Sequence, residues 1–229
     1  MKTIVAVGAH TGDAQLTSGL LLAKHAIAGD KVITIDLTAG ERGCPPDRSV
    51  ETFRNENVAG AKAFASLLGG ESYVLDTPDG ELVHTKEAAL ALADRLRQVQ
   101  ADVVLYHWKN SLHKDHEAAH KITTDAIFYA SLASFPHALP RAPIKRMLYA
   151  ENWEDAEGFI PYCYIDVTEA FPLWREAIVK LWLTENSRDF KYLRYYDALS
   201  IMRGCLIRKE RAVALGVPEY AKRVVQESL

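Results

Sequence analysis

Short apolar runs alternate with longer amphipathic stretches through the first half of the chain. The apolar runs are rich in β-branched residues and end at glycines or polar loops, a pattern typical of buried strands. These predicted strands cover residues 4–7, 31–37, 73–75 and 102–106. The stretches between the runs carry apolar residues at helical spacing. These predicted helices cover residues 13–28, 50–68, 85–99 and 115–129. The alternation predicts parallel βαβ units with right-handed crossovers.

The pattern changes after Pro136, where proline-bearing loops lead into two further apolar runs. Residues 145–149 and 162–167 are predicted to be extra strands, antiparallel at an edge of the sheet, and residues 171–215 to be helical. We therefore expect one α/β domain over the whole chain. It has a Rossmann-like, doubly wound, mostly parallel sheet at 1–135 and an appended C-terminal strand and helix subdomain at 136–229.

The composition argues against several classes of protein. At 229 residues, with 48% apolar and 25% charged residues, the chain has the size and composition of an ordinary soluble domain. A formal net charge of -3 argues against a general binder of nucleic acids or anionic membranes. The three cysteines form no CxxC pair, which favours free thiols in a reducing compartment. The first apolar run is too short for a signal peptide, and none reaches the roughly 20 residues that span a bilayer. We expect a cytoplasmic protein without nucleic-acid or membrane partners.

Two histidine–aspartate clusters follow predicted strands. His10 and Asp13 come directly after the first strand, and His113, Asp115 and His116 come shortly after the fourth. In a doubly wound sheet with strand order 3-2-1-4, the carboxyl ends of these two strands are neighbours, so the clusters can converge. Two imidazoles and one carboxylate are a ligand set that catalytic zinc uses, with a fourth position for water. The sequence therefore predicts a metal site formed by His10, Asp13 and His116.

A competing motif overlaps the second cluster. The segment from His116 through Glu117 to His120 is a literal HExxH, the signature of zincin metalloproteases. The extended metzincin form needs glycine and histidine where Thr123 and Ala126 stand, so that form is excluded. The βαβ alternation is also foreign to zincins. A zincin-type protease nevertheless stays as an alternative interpretation.

With these clusters located, the chain resembles the LmbE/PIG-L family of zinc-dependent N-acetylglucosaminyl deacetylases over almost its whole length. The resembling segments are Ala9-His10-x-x-Asp13, Thr38-Ala39-Gly40-Glu41-Arg42-Gly43, Arg54, His113-x-Asp115-His116, Tyr164-Ile165-Asp166-Val167 and Gly216-Val217-Pro218-Glu219-Tyr220-Ala221. The resemblance implies a Rossmann-like fold. It also implies a zinc ion, or another divalent metal such as Fe²⁺, held by His10, Asp13 and His116.

The resemblance further implies hydrolysis of the N-acetyl group of a small amino-sugar conjugate. In that mechanism His113 stabilises the tetrahedral oxyanion, and Asp115 orients His113 or His116. Glu41 and Arg54 would contact substrate hydroxyls. Relatives of this kind are often homo-oligomers, so a trimer or hexamer is expected.

The most diagnostic stretch departs from the family pattern. Gly12 stands where the family has its general-base aspartate, and Thr11 and Gln15 replace the family's proline and acidic residue. A general base contributes about 10²–10⁴-fold to a rate, so the sequence leaves three alternatives open. Another carboxylate replaces the base, the metal activates water with little help, or the protein binds a sugar-like ligand without turnover. The candidate replacement carboxylates are Glu41, Asp115 and Glu117.

Overall fold

The computed structural model describes residues 1–155 and 157–222, and its centre is a seven-stranded sheet in the order β3-β2-β1-β4-β5-β7-β6. The strands are β1 Thr3–His10, β2 Lys31–Thr38, β3 Glu71–Val74, β4 Val103–His107, β5 Arg146–Ala150, β6 Cys163–Asp166 and β7 Ala212–Gly216. Strands β1 to β5 pair in parallel, and β7 is antiparallel to its neighbours β5 and β6. This is the predicted α/β, mostly parallel, Rossmann-like sheet.

Helices cover both faces of the sheet. They are α1 Asp13–Thr17, α2 Gly19–Ile27, α3 Val50–Leu67, α4 Lys86–Val99, α5 Lys114–Ser131, α6 Phe171–Ile178, α7 Trp182–Asn186 and α8 Tyr192–Leu206. Side chains set several of the starts: Ser49 caps α3 by accepting from the backbone N–H of Thr52, and Thr85 caps α4 in the same way. The predicted helix at 13–28 is divided at Ser18 into α1 and α2.

The C-terminal part corrects two predictions. Residues 171–215 are not continuously helical, because α8 ends at Leu206 and the last residues form strand β7. Arg208 has a left-handed backbone, with φ 59°, and no helix continues through such a residue. A short apolar run cannot be assigned to helix or strand by periodicity alone, which is why β7 was missed. The strand predicted at 145–149 is also parallel and inside the sheet, as β5, and not at an antiparallel edge.

The C-terminal elements share a core with the first half of the chain. One buried cluster joins Ile4 of β1 and Leu22 of α2 to Trp174 and Ile178 of α6. The Trp174 indole also donates a hydrogen bond to the backbone oxygen of Gln15, at 3.0 Å. The described residues of the predicted extension at 136–229 therefore pack into the same core as the first half of the chain. Residues 223–229 lie outside the described residues.

The sheet reverses its strand order between β1 and β4, and this places the site. The register Ala6↔Leu105 sets these strands side by side, so the loops after His10 and His107 open at the same edge. Ligands of doubly wound sheets bind at such a switch point. Within the described residues, no helix is long and apolar enough to cross a membrane.

Candidate metal centre

The loop from β1 to α1 is tied by its own side chains. His10 is the last residue of β1, and Asp13 is the first of α1. One carboxylate oxygen of Asp13, Oδ2, accepts a hydrogen bond from the His10 backbone N–H at 2.8 Å and lies 3.2 Å from His10 Nδ1. The Gln15 side chain accepts from the Gly12 backbone N–H at 2.9 Å. These bonds hold His10 and Asp13 together above the sheet edge.

His116, in the first turn of α5, completes the predicted set of ligands. Its Nε2 lies 3.4 Å from the same Oδ2 of Asp13, so the three predicted metal ligands converge. His10, His113 and His116 offer ring nitrogens within 4.8 Å of one another. Asp13, His107 and His116 offer ligand atoms at the same spacing. The order of strands thus brings both sequence clusters to one place.

Asp155 is a site residue that the sequence analysis missed. It is fully buried, and its carboxylate contacts His116 Nδ1 at 3.0 Å and His107 Nδ1 at 2.9 Å. Burial alone would raise the pKa of Asp155, but the two histidines hold it well below its usual range. A carboxylate on Nδ1 keeps the proton there and leaves Nε2 of His116 free to bind a metal. The sequence feature that could have indicated Asp155 is the acidic pair Glu154-Asp155, which follows the predicted strand at 145–149.

His107, the last residue of β4, was also missed. Its Nε2 accepts a hydrogen bond from the Ala9 backbone N–H at 3.0 Å, and its Nδ1 faces Asp155. The Nε2 atom of His107 lies 3.4 Å from Asp13 Oδ2, but the lone pair of this nitrogen already accepts the Ala9 N–H. His107 therefore holds the loop in place and is not arranged as a ligand.

The Asp115 carboxylate lies against His10. Asp115 is fully buried, and its Oδ2 lies 3.3 Å from His10 Nε2 and accepts from the Gly80 backbone N–H at 2.9 Å. Asp79 places a second carboxylate oxygen 3.2 Å from His10 Nε2. These acids keep the proton of His10 on Nε2, which leaves Nδ1 facing Asp13. Asp115 therefore positions His10, whereas the sequence analysis assigned it to His113 or His116.

His113 caps α5 and has a defined tautomer. Its Nδ1 accepts a hydrogen bond from the Asp115 backbone N–H at 3.2 Å, so a neutral His113 carries its proton on Nε2. Burial, together with the positive charge of His10, lowers the pKa of His113 and favours this neutral form. The Nε2–H is then a donor at the cavity wall.

The donor set fits a divalent metal. Burial disfavours the charged forms of His10 and His116, but the surrounding carboxylates outweigh the effect of burial. They raise the pKa of His116 to about 10 and that of His10 well above its usual value. Burial would also raise the pKa of Asp13, which these histidines hold well below its usual range. In the metal-free protein, protons therefore supply the positive charge that a zinc ion would bring. Zinc is typically bound by one carboxylate oxygen and by imidazoles whose other ring nitrogen is hydrogen-bonded to a carboxylate. His10, Asp13 and His116 match this description.

Glu41 and Arg54, predicted to contact substrate, lie beside the site and engage other residues. Glu41 is buried, and its Oε1 accepts from the Asp79 backbone N–H at 2.9 Å. Arg54 donates to Asp76 at 2.9 Å and approaches Glu41 at 3.7 Å. Their role in substrate binding stays a prediction.

A cavity of about 330 Å³ opens above the predicted ligands. Its aromatic lining consists of Phe53, Trp153, Trp182, Tyr192 and Tyr196. Its acidic lining consists of Asp13, Asp79, Glu154 and Asp189. Among the described residues, no lysine or arginine lines this cavity. Away from the histidines of the site, the pocket is therefore acidic and aromatic.

Leu183 occupies the space beside Gly12. Gly12 has φ 119°, a backbone conformation that L side chains rarely adopt. A Cβ atom added to Gly12 would overlap Cδ2 at the end of the Leu183 side chain in α7. Any side chain at this position therefore meets both backbone strain and a steric clash.

The HExxH motif is not assembled as a metal site. His120 lies one helical turn beyond His116, where its Nδ1 is 2.9 Å from the backbone oxygen of His107. Its ring stacks on Tyr106, with centroids 5.4 Å apart. Among the described residues, the groups with ligand atoms close together do not include His120.

Comparison with known proteins gives one family match. The family model described as GlcNAc-PI de-N-acetylase, PIG-L, matches residues 5–127. The 4-oxalmesaconate hydratase of Pseudomonas putida is 28% identical over 216 residues, 89% of this chain and 80% of the relative. A 1D-myo-inositol 2-acetamido-2-deoxy-alpha-D-glucopyranoside deacetylase of Rhodococcus erythropolis is 28% identical over 166 residues, 60% of this chain and 56% of the relative.

Solved structures confirm the fold. The 4-carboxy-2-hydroxymuconate hydratase GalB of Pseudomonas putida superposes with a TM-score of 0.87 at 21% identity, covering 100% of both chains. The N,N'-diacetylchitobiose deacetylase of Pyrococcus horikoshii superposes with a TM-score of 0.82 at 18% identity, covering 99% of this chain and 87% of the other.

Proposed function

We propose, from the premise that the chain belongs to the GlcNAc-PI de-N-acetylase (PIG-L) family, that it is a metal-dependent hydrolase of an amino-sugar N-acetyl group. The observation that carries the proposal is the convergence of His10, Asp13 and His116 at the wall of an aromatic, acidic cavity. Family membership supports a deacetylase, and the geometry supplies the ligands and a donor for the reacting carbonyl.

The roles of the residues follow from their hydrogen bonds. A zinc or ferrous ion on His10, Asp13 and His116 would polarise the acetyl carbonyl and make water more acidic. Asp155 and Asp115 orient the two histidines, so the ligands are held before metal binds. The other residues act on the substrate itself. His113 presents its Nε2–H to the carbonyl oxygen as negative charge develops there.

The lining of the cavity away from the histidines favours a neutral substrate. Glu154 and Asp189 would repel carboxylates or phosphates there, and no described lysine or arginine lines the cavity to pair with such an anion. The rings of Trp153, Trp182 and Tyr192 suit the apolar faces of a sugar. We therefore infer that the substrate is an uncharged N-acetyl amino-sugar conjugate.

Hydration of an unsaturated acid is the second candidate. It is favoured by the hydratase relative, which matches 89% of this chain, against 60% for the deacetylase relative. Both reactions need an activated water. The described lining of the cavity offers no lysine or arginine to bind a polycarboxylate such as 4-oxalmesaconate, which is why deacetylation ranks first.

Metal analysis with paired assays tests the proposal. We expect about one zinc per chain, lost in His10→Ala and kept in His120→Ala. We also expect acetate release from neutral N-acetylglucosamine conjugates and no hydration of 4-oxalmesaconate. Hydration without acetate release would favour the second candidate. Bound metal with neither reaction would favour a protein that binds a sugar-like ligand without turnover.

Localisation and assembly complete the proposal. Family resemblance supports a cytoplasmic homo-oligomer, a trimer or hexamer, that acts on a small molecule. Light scattering on the purified chain measures the mass of the assembly, and a monomer would contradict this part.

A further inference from the structure

The position that holds the general base in the family pattern carries no carboxylate here. The sequence offers Glu41, Asp115 and Glu117 as replacements, and none of them lines the cavity. Glu41 accepts the backbone N–H of Asp79, and Asp115 is buried against His10. A base must lie within reach of the attacking water, so these three residues do not meet the requirement.

Two of the four acidic residues among the described lining of the cavity are already engaged. Asp13 is a predicted metal ligand, and Asp79 faces Nε2 of His10. Asp189 is exposed at the rim. This leaves one further acidic residue among the described lining, Glu154.

Glu154 faces the ligand atoms. Its Oε2 lies 3.6 Å from Nε2 of His116, the nitrogen that also faces Asp13, and its side chain is 22% exposed. Within the described part of the chain, no donor forms a hydrogen bond to the Glu154 carboxylate. The Leu112 backbone N–H donates to the Glu154 backbone oxygen at 3.0 Å, which ties this turn to the loop before α5. The next residue, Asp155, contacts His116 itself, so the backbone of Glu154 is held beside that ring.

We propose that Glu154 is the catalytic general base of this enzyme, taking the role for which position 12 has no side chain. The inference rests on the proposed deacetylase function. The base is supplied from the loop that follows β5, and its carboxylate faces Nε2 of His116, as that of Asp13 in the β1–α1 loop does.

Glu154 carries one proton from the attacking water to the leaving amine. The Glu154 carboxylate takes a proton from water as the water oxygen bonds to the acetyl carbon, and the electron pair of the C=O bond moves to its oxygen. When that pair returns, the C–N bond breaks, and the protonated Glu154 gives its proton to the leaving amine nitrogen. The products are acetic acid, which ionises in water, and the free amino sugar, with Glu154 again a carboxylate.

Glu154→Gln and Glu154→Ala test this role. We expect Glu154→Gln to keep its metal content and its KM for the conjugate and to lose about 10²–10⁴-fold in kcat. Millimolar formate should partly restore turnover to Glu154→Ala, because a small carboxylate can occupy the vacated space. The matched control is Glu157→Gln, an exposed glutamate three residues away, which should retain wild-type rates.

Each result separates the two proposals. A wild-type rate in Glu154→Gln overturns the role of Glu154 and leaves the deacetylase function intact. Loss of metal from Glu154→Gln makes Glu154 a ligand, which also overturns it. A wild-type protein that loads metal and releases no acetate overturns the proposed function, and the base assignment with it.

Discussion

At the scale of single residues, the neighbour of each imidazole decides its chemistry. A carboxylate on Nδ1 of His116 and another on Nε2 of His10 leave one nitrogen of each ring for a metal. On His113 a backbone N–H takes the lone pair of Nδ1, so its other nitrogen becomes a donor. The same side chain is thus a ligand or a hydrogen-bond donor according to what its far side touches.

Removing the charge of Asp155 should weaken metal binding. We expect Asp155→Asn to lower zinc affinity by about 10–100-fold, because His116 and His107 both lose the carboxylate that fixes their tautomer. Competition with a chromophoric chelator measures the affinity. Asp125→Asn, at a partly exposed position of α5 where the carboxylate faces His84, is the control and should bind zinc as the wild type does. Equal affinities in the two variants would contradict the role of Asp155.

Zinc binding should expel protons. In the metal-free protein at pH 7, His116, with a pKa of about 10, and His10, with its raised pKa, are both protonated. Each must lose a proton to bind metal, so about two protons should leave per zinc. Affinity should therefore fall as the pH falls. Calorimetry in buffers of different ionisation enthalpy counts the protons, and an enthalpy independent of the buffer would show that the ligands were already deprotonated.

At the scale of elements, the β1–α1 loop and helix α7 fit each other. We expect Gly12→Ala to lower the free energy of unfolding by about 1–3 kcal/mol, because it combines a positive φ with the contact to Leu183. Adding Leu183→Ala to Gly12→Ala should recover only the part of this loss that comes from the steric contact, because the positive φ remains. Gly43→Ala is the control, since a Cβ there meets no atom of the described residues within 4 Å. Urea denaturation measures all four proteins, and equal costs at positions 12 and 43 would refute the steric argument.

The sequence predicted the parts of the site that follow strong local signals. His10, Asp13 and His116 each follow a β-branched run, and parallel strands collect such residues at one edge. His107 was missed because it ends a strand and reads as part of the apolar run. Asp155 was missed because its partners lie across the sheet edge, and no local pattern records a contact over 39 positions.

At the scale of the whole molecule, the C-terminal elements complete the core and close the cavity. Trp174 is fully buried in the cluster that it shares with β1 and α2, and Leu183 and Tyr192 come from the same region to line the cavity. Periodicity could place the helices of this region approximately, but their packing on the first half depends on shape. The extent of the shared core was therefore beyond the sequence pattern.

Trp174→Ala should destabilise the entire chain in one transition. We expect a loss of about 3–5 kcal/mol, because the change empties a core site and removes the bond to Gln15. Phe128→Ala, which alters an exposed ring on α5, should change stability by less than about 0.5 kcal/mol. Circular dichroism and zinc release should follow the same urea curve. Separate transitions would mean that the two halves fold independently.

The contact between Gly12 and Leu183 also limits how this protein can change by mutation. A carboxylate introduced at position 12 meets the leucine side chain and an unfavourable backbone, so one substitution there brings damage before any benefit. The leucine side chain can shift, but the positive φ at position 12 cannot accept a side chain without strain. Position 12 is therefore open to another residue only if the β1–α1 loop itself changes conformation.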